Sequence, residues 1–334
     1  MAFLFEYGLF LAKAITIVLA VGAIIALIVG ASHKPKGESG EIELKDLSEQ
    51  MADAKVRFIE QALDKKALKA HRKAQKKQEN IEPEGRVFVV DFSGSMDAHE
   101  VKNLREEISA VLNIADQSKD QVLVNLESGG GVVHGYGLAA SQLNRVKQYG
   151  LPLTVCIDKI AASGGYMMAC VADKIIAAPF AIVGSIGVIA QVPNFHKILK
   201  KNDVDFEQVT AGEYKRTLTM FGENTDKGRE KFKAEIEHTH GLFKSFVAEH
   251  RQQLDISQVA TGEHWFATHA KTFNLVDEIN TSDDVLMSLD KTHQLYKVSY
   301  RSKKTLSEKV GLGVSAAVEK VSMSLWSKFN NARF

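Results

Sequence analysis

The chain has 334 residues, 45% hydrophobic and 25% charged, which is enough for one large or two modest domains with a sizeable core and excludes wholesale disorder. Forty-two basic against forty-one acidic side chains leave a formal charge of +1, which excludes a dedicated nucleic-acid binder. Cys156 and Cys170 are the only cysteines and both sit in apolar runs, so a disulfide framework and a cysteine-rich metal site are excluded too.

In chain order, the first element is apolar. Ala14 to Ala31 are 18 residues without a charge, and Leu9 to Ala12 extend the run beyond Lys13. That length suits a membrane span, so residues 1–33 are read as a transmembrane anchor with lipid as a partner. Val29-Gly30-Ala31-Ser32 offers a weak small-x-small cleavage site. Lys34, Lys36 and Lys45 follow the span while Lys13 precedes it, a balance that leans toward a cytoplasmic C-terminal side. Residues 34–84 carry 12 basic and 11 acidic side chains, with Leu44, Leu47, Met51, Ala54, Phe58 and Ala62 at helical spacing. The expectation is a solvated helical stalk. It ends in a block from Lys65 to Lys77 with seven Lys or Arg, an alternative contact for anionic lipid, before a break at Pro83 and Gly85.

From Arg86 the texture changes. Strand-like runs at Val87 to Asp91, Val122 to Leu126 and Leu153 to Ile157 alternate with helical periods near Val101 to Ala115 and Gly135 to Tyr149. This predicts an α/β domain with a largely parallel sheet over residues 85–290. The uncharged stretch Ile175 to Phe195 is interrupted by Pro179, Pro193, Gly184 and Gly187, and is read as buried strands rather than a second span. A long helix is predicted from Asp226 to Arg251, with Phe232, Ile236, Phe243 and Val247 available for core or subunit packing. Residues 291–334 should supply a strand and an amphipathic helix, the latter from Thr305 with Val310, Val314, Val321 and Leu325 on one stripe. That stripe is expected to pack on the body or on a second copy, with membrane contact through Trp326 and Phe329 as the alternative.

Several residue groups invite chemistry. Asp91-Phe92-Ser93-Gly94-Ser95 has the form of a cation-binding adhesion loop, but no matching Thr and Asp follow, so a turn capping the next helix is expected. His238 and His240 are two apart on a helix, where a zinc pair would want four, and are read as surface residues. Gly129-Gly130-Gly131 follows a strand, yet position 134 is His and no Gly-Lys-Ser/Thr is present, which disfavours a nucleotide. Its backbone amides could face a developing oxyanion instead. Ser163, in Ala161-Ala162-Ser163-Gly164-Gly165-Tyr166, precedes a predicted helix Tyr166 to Val171 with room for a substrate. A base is then needed, and Lys215 lies 52 residues later; its pKa would have to fall from about 10.4 to about 7–8, which burial can supply. Spacing alone does not single it out.

Four ordered motifs resolve the choice. Glu127-Ser128-Gly129-Gly130-Gly131, Ala162-Ser163-Gly164-Gly165-Tyr166, Val183-Gly184-Ser185-Ile186-Gly187-Val188 and Gly212-Glu213-Tyr214-Lys215 resemble the signal peptide peptidase A family of serine-lysine peptidases. The resemblance implies a ClpP/crotonase-like α/β fold, peptide substrates such as signal-peptide remnants, no metal or other cofactor, and assembly into a homo-oligomer. It implies Ser163 as nucleophile, Lys215 as general base, Ser185 as the hydroxyl that orients the lysine, and Gly130 and Gly164 as oxyanion donors. It also implies a bacterial inner-membrane location with the active domain in the periplasm, against the lysine balance. Two departures stand out: Leu126-Glu127-Ser128 where the family often has Asn-Ser-Pro, and Asn274 where it usually has Gly. Asn tolerates a left-handed backbone, so the second should leave the fold intact. The competing classes are a non-catalytic membrane scaffold and a metal-dependent adhesion domain built on Asp91.

Overall fold

The structure, a computed structural model, describes residues 7–18, 40–64, 66–68 and 82–301. One compact unit spans Ile42–Tyr300, and the two termini form another, in which residues 7–18 are a helix, α1. The larger unit starts from a run that cannot stay in water: Val87, Phe88, Val89 and Val90 are each at most 1% exposed. A strand with apolar side chains on both faces needs cover on both, which is the condition of a parallel sheet. Strands β2 (Gly85–Ser93), β3 (Gln121–Glu127), β4 (Leu153–Ile157), β6 (Lys174–Ala177), β9 (Glu278–Ile279) and β10 (His293–Arg301) pair in parallel in the order β10-β2-β3-β4-β6-β9. Phe88, Val90, Val124 and Val155 on one face join the core formed with Leu104 and Ile108 of α3 (Val101–Ile114) and Leu143 and Val146 of α4 (Val133–Tyr149). On the other face Val87, Val89, Leu123, Cys156 and Leu295 form a second core. The α/β class, the three expected strands and the two helices between them are all present.

Three expectations need correction. Residues 34–84 are not one helix: Glu41–Asp46 is a strand, β1, at the sheet edge beside β10, and α2 runs only from Leu47 to Ala62. Asp46 accepts a hydrogen bond from Glu49 N at 2.8 Å, so the strand ends where its last side chain caps the helix. The start of α2 packs on the body, Leu47 and Met51 lying against the second core beside Leu286 of α7 (Ser282–Leu289), while no residue of α2 is buried and Phe58 is 72% exposed, as expected of a solvated helix. The boundary at residue 290 also fails, because β10 lies inside the same sheet, between β1 and β2. In Ile175 to Phe195, β6 and β7 (Ile182–Gly184) are strands, but residues 189–195 are exposed and irregular. Their Ile and Val content suggested a buried strand; beyond Gly184 the run leaves the sheet.

Most of Ala14 to Ala31, most of the basic block from Lys65 to Lys77, and the stripe from Thr305 lie outside the described residues. Among the described residues no helix is long and apolar enough to cross a membrane. Asp91 stays in β2, accepting a hydrogen bond from Asn125 Nδ2 at 2.9 Å and an ion pair from Lys297. Ser95 Oγ binds Glu100 Oε2 at 2.8 Å instead of capping α3 directly. Among the described residues no group of three or more His, Cys, Asp or Glu side chains is arranged to hold a metal.

Two buried charges hold the distal parts. Arg251, 2% exposed after α6 (Asp226–His250), donates to Asp277 Oδ1 and Oδ2 at 2.8 and 2.9 Å and to Asn274 O at 2.7 Å. Asn274 adopts the left-handed backbone expected of it, with φ 62°. Glu107, 7% exposed on α3, accepts Tyr300 N at 2.8 Å, and burial raises its pKa to about 6. The native state thus favours the protonated carboxyl: this stabilisation is full below the ordinary glutamate value of about 4.3 and is lost as pH rises through about 6. Glu107→Gln should therefore be more stable than wild type at pH 8, by on the order of 1–2 kcal/mol, and no more stable at pH 4. Denaturant unfolding at the two pH values measures it.

Candidate active site

Backbone pairing carries the chain from the main sheet into the site. Past the end of β3, Ser128 N donates to Ile160 O at 2.8 Å and Ser128 O accepts Ala162 N at 3.0 Å. This joins β3 to the short strand β5 (Ile160–Ala162), which pairs in parallel with β7, itself antiparallel to β8 (His264–Phe266). Ser163 N then donates to Gly184 O at 2.8 Å, and Ser185 N to Glu263 O at 2.6 Å. The glycine loop, Ser163 and Ser185 are thereby laid side by side at three neighbouring strand ends.

Ser163 has φ 52° and ψ −119°, a backbone region that glycine adopts freely and serine does not. It precedes α5 (Gly164–Ala169), whose six residues are all buried, and its side chain makes no capping bond to that helix. The hydroxyl, on a partly exposed residue, has no hydrogen-bond partner among the described residues, a geometry that suits a nucleophile on a sharp strand-to-helix turn. Gly130 meets it closely. With φ +87°, a Cβ there would lie 2.6 Å from Gly164 N and 2.8 Å from Ser163 Cβ, so the position admits only glycine. Gly164 is equally confined, its missing Cβ falling 2.4 Å from Cγ of Tyr136.

A cleft of about 590 Å³ brings together Ser163, Ser185, Gly130, Gly131, Met96 and His240. A smaller apolar recess beside Ser163 and Gly164 is walled by Val133, Met167, Val188 and Phe243. The two amides expected to bind an oxyanion differ. Among the described residues Gly164 N donates to no protein group, whereas Gly130 N is committed to Ser128 Oγ at 3.1 Å. The next amide, that of Gly131, has no such commitment among the described residues.

Lys215 is elsewhere. It is exposed, it makes no hydrogen bond to Ser163 or Ser185, and it lines a different cavity of about 810 Å³ with Val192, Phe206, Val209, Met220 and Phe221. The segment around it is tied chiefly to itself, through Phe195 N donating to Met220 O at 2.7 Å and a stack of Phe195 on Phe221 at 6.1 Å. It also exposes apolar side chains, Phe206 by 43% and Val209 by 97%.

His240 is not the surface residue that its helical spacing suggests. It is half-buried in the Ser163 cleft, and Nε2 lies 3.2 Å from Ile186 O, immediately after Ser185. A carbonyl only accepts, so Nε2 carries the proton. The available signal was the helical offset that places His240 on the face of Ile236, Phe243 and Val247. His238 is exposed, as expected.

The backbone of Ser163 supplies a direct test. At an ordinary position glycine is less stable than alanine by about 0.5–1 kcal/mol. At position 163 the order should reverse, Ser163→Gly being at least as stable as Ser163→Ala, because only glycine relieves about 1–3 kcal/mol of strain. Thermal unfolding of the two variants decides it.

Comparison with known proteins agrees with these motifs. Residues 2–143 match the family described as Peptidase family S49 N-terminal, and residues 145–296 match Peptidase family S49. A Haemophilus influenzae protein described as "Probable protease SohB" is 51% identical over 91% of this chain and 91% of its own. A protein of the same description from Buchnera aphidicola subsp. Acyrthosiphon pisum is 58% identical over 69% of this chain and 68% of its own. Among solved structures, a point mutant of the 1510-N membrane-bound stomatin-specific protease in complex with a substrate peptide aligns at 10% identity and TM-score 0.42, covering 70% of this chain and 99% of that one. On the strength of the sequence matches, the chain belongs to peptidase family S49 and is a serine peptidase.

Proposed function

We propose that the chain is a membrane-anchored endopeptidase that cleaves extended peptides, such as signal-peptide remnants, through an acyl-enzyme on Ser163. Lys215 takes the proton from Ser163 Oγ as Oγ bonds to the peptide carbonyl carbon. The same proton passes to the leaving amine as the C–N bond breaks, and water then releases the acyl group by the reverse relay. Gly164 N and a glycine-loop amide bind the oxyanion. The loop donor is that of Gly131 rather than the expected Gly130, whose N–H is already occupied by Ser128. Ser185, beside Ser163 at the end of β7, orients the lysine. The observation that carries this reading is the strained, uncapped Ser163 lining one recess with Gly131 and Gly164, whose amides are uncommitted among the described residues. No metal or other cofactor enters it. The parallel main sheet with a small β5-β7-β8 sheet at its strand ends supports the ClpP/crotonase-like arrangement.

Lys215 has to reach Ser163, and its segment exposes apolar side chains while holding few ties to the rest of the unit. This favours a homo-oligomer in which a second copy covers that segment and the lysine of one copy serves the serine of another. Ser163→Ala and Lys215→Ala should each lose peptide hydrolysis by at least about 10³-fold. Mixed and reassembled, the two inactive variants should regain a measurable share of wild-type turnover. Full activity of Lys215→Ala alone would overturn the base assignment, and a mixture as inactive as its parts would overturn the shared site.

The anchor rests on the apolar length of Ala14 to Ala31, with the active domain in the periplasm of a bacterial inner membrane. A C-terminal reporter active only in the periplasm should give signal; signal only from a cytoplasm-specific reporter reverses the orientation.

A further inference from the structure

Tyr136 lies on α4 and is fully buried, although it ends in a hydroxyl. Its Oη donates to Ser95 O at 2.7 Å and is hydrogen-bonded to Ser128 Oγ. Tyrosine has one hydroxyl proton, and Ser95 O, a carbonyl, can only accept it. The Ser128 hydroxyl therefore donates to Tyr136, with Gly94 O a more distant acceptor at 3.3 Å, and accepts from Gly130 N at 3.1 Å. The protons run in one direction: Gly130 N–H to Ser128, Ser128 O–H to Tyr136, Tyr136 O–H to Ser95. Ser128 is itself only 2% exposed, so water does not compete for these bonds. Burial also keeps the Tyr136 hydroxyl above the usual tyrosine range and hence protonated.

The same tyrosine reaches the other side of the site. Its ring fills the space that a side chain at Gly164 would occupy, 2.4 Å from the missing Cβ. One residue thus supports the first turn of α5 with its ring and the glycine loop with its hydroxyl. Fixing the peptide before Gly130, together with the left-handed φ of +87° at that residue, sets the direction of the following amide, that of Gly131.

We propose that Tyr136 and Ser128 are positioning residues that together aim the Gly131 and Gly164 amides at the oxyanion formed on attack by Ser163. This rests on the reading of Ser163 as nucleophile. Backbone donors contribute only when they meet the charge that develops in the transition state, and outright loss of one such donor lowers kcat by about 10²–10³-fold. Loosening a donor should do less.

The test uses the full-length assembled protein with Tyr136→Phe, which keeps the ring and drops the hydroxyl, with Ser128→Ala, and with both changes. Tyr136→Phe should lower kcat about tenfold with KM within twofold, and weaken a peptide boronate, which forms a tetrahedral adduct, by a similar factor. Ser128→Ala should match it, and the double variant should be little worse than either, because both interrupt one chain. Three results would overturn the proposal: kcat and boronate affinity within twofold of wild type, a rise in KM alone, or failure of both single variants to fold. Hydrolysis that persists in Ser163→Ala would instead overturn the nucleophile on which it rests. An inactive Ser163→Ala beside an unaffected Tyr136→Phe defeats the positioning role alone.

Discussion

Everything at the candidate active site depends on a backbone ladder that leaves the main sheet at Ser128 and passes through Ala162 to Gly184. Its contacts, at 2.8 to 3.0 Å, are all between main-chain groups. Three strand ends are thereby placed beside one another without any side chain being asked to hold them. Main-chain ladders demand closeness, and closeness demands small residues, which is why Gly, Ala and Ser dominate all three strand ends. Where a larger group does enter, as with Tyr136 beneath Gly164, the neighbour has given up its side chain altogether.

Strain at Ser163 persists only because its surroundings leave no softer conformation. Behind it, α5 is buried along its whole length, and its Tyr166 donates to Leu275 O at 3.0 Å, far along the chain. Leu275 is in turn next to Asn274, whose carbonyl takes a hydrogen bond from the buried Arg251. An unpaired guanidinium at that depth would be costly, so Asp277 accompanies it and also receives Ile175 N at 2.7 Å. The strained turn at Ser163 is therefore braced from behind by the segment around Asn274 and Asp277.

The sequence displayed the sheet openly. A strand covered on both faces reads as an uninterrupted apolar run, and Val87 to Val90, Val122 to Val124 and Val155 to Ile157 are such runs. The glycine and serine motifs were legible for a related reason, since close backbone approach restricts which residues fit. What escaped was decided by distant partners. Leu44 falls on a helical stripe with Leu47 and Met51, but pairing with β10, the last strand of the sheet in chain order, makes its segment a strand. Ile189 and Val192 belong to the same apolar stretch as Ile182 and Val183, and no local pattern marks where the run leaves the sheet. His240 resembled any helix histidine because the carbonyl it binds lies on a different element. Lys215 shows the opposite case: its motif is plain in the sequence, while the folded chain keeps it in a cavity apart from the serine.

One detail of the topology bears on how the molecule is made. Strand β1 is synthesised first and β10 last among the strands, yet they are neighbours in the sheet, with β10 between β1 and β2. A ribosome must therefore deliver nearly the whole chain before the first strand finds its mate, and contacts so distant in sequence form slowly. During that interval Ile42 and Leu44 have no partner strand, and the flank of β2 that β10 will cover is open. The peptidase thus passes through translation with its sheet unfinished, and that edge closes only when the last strand emerges.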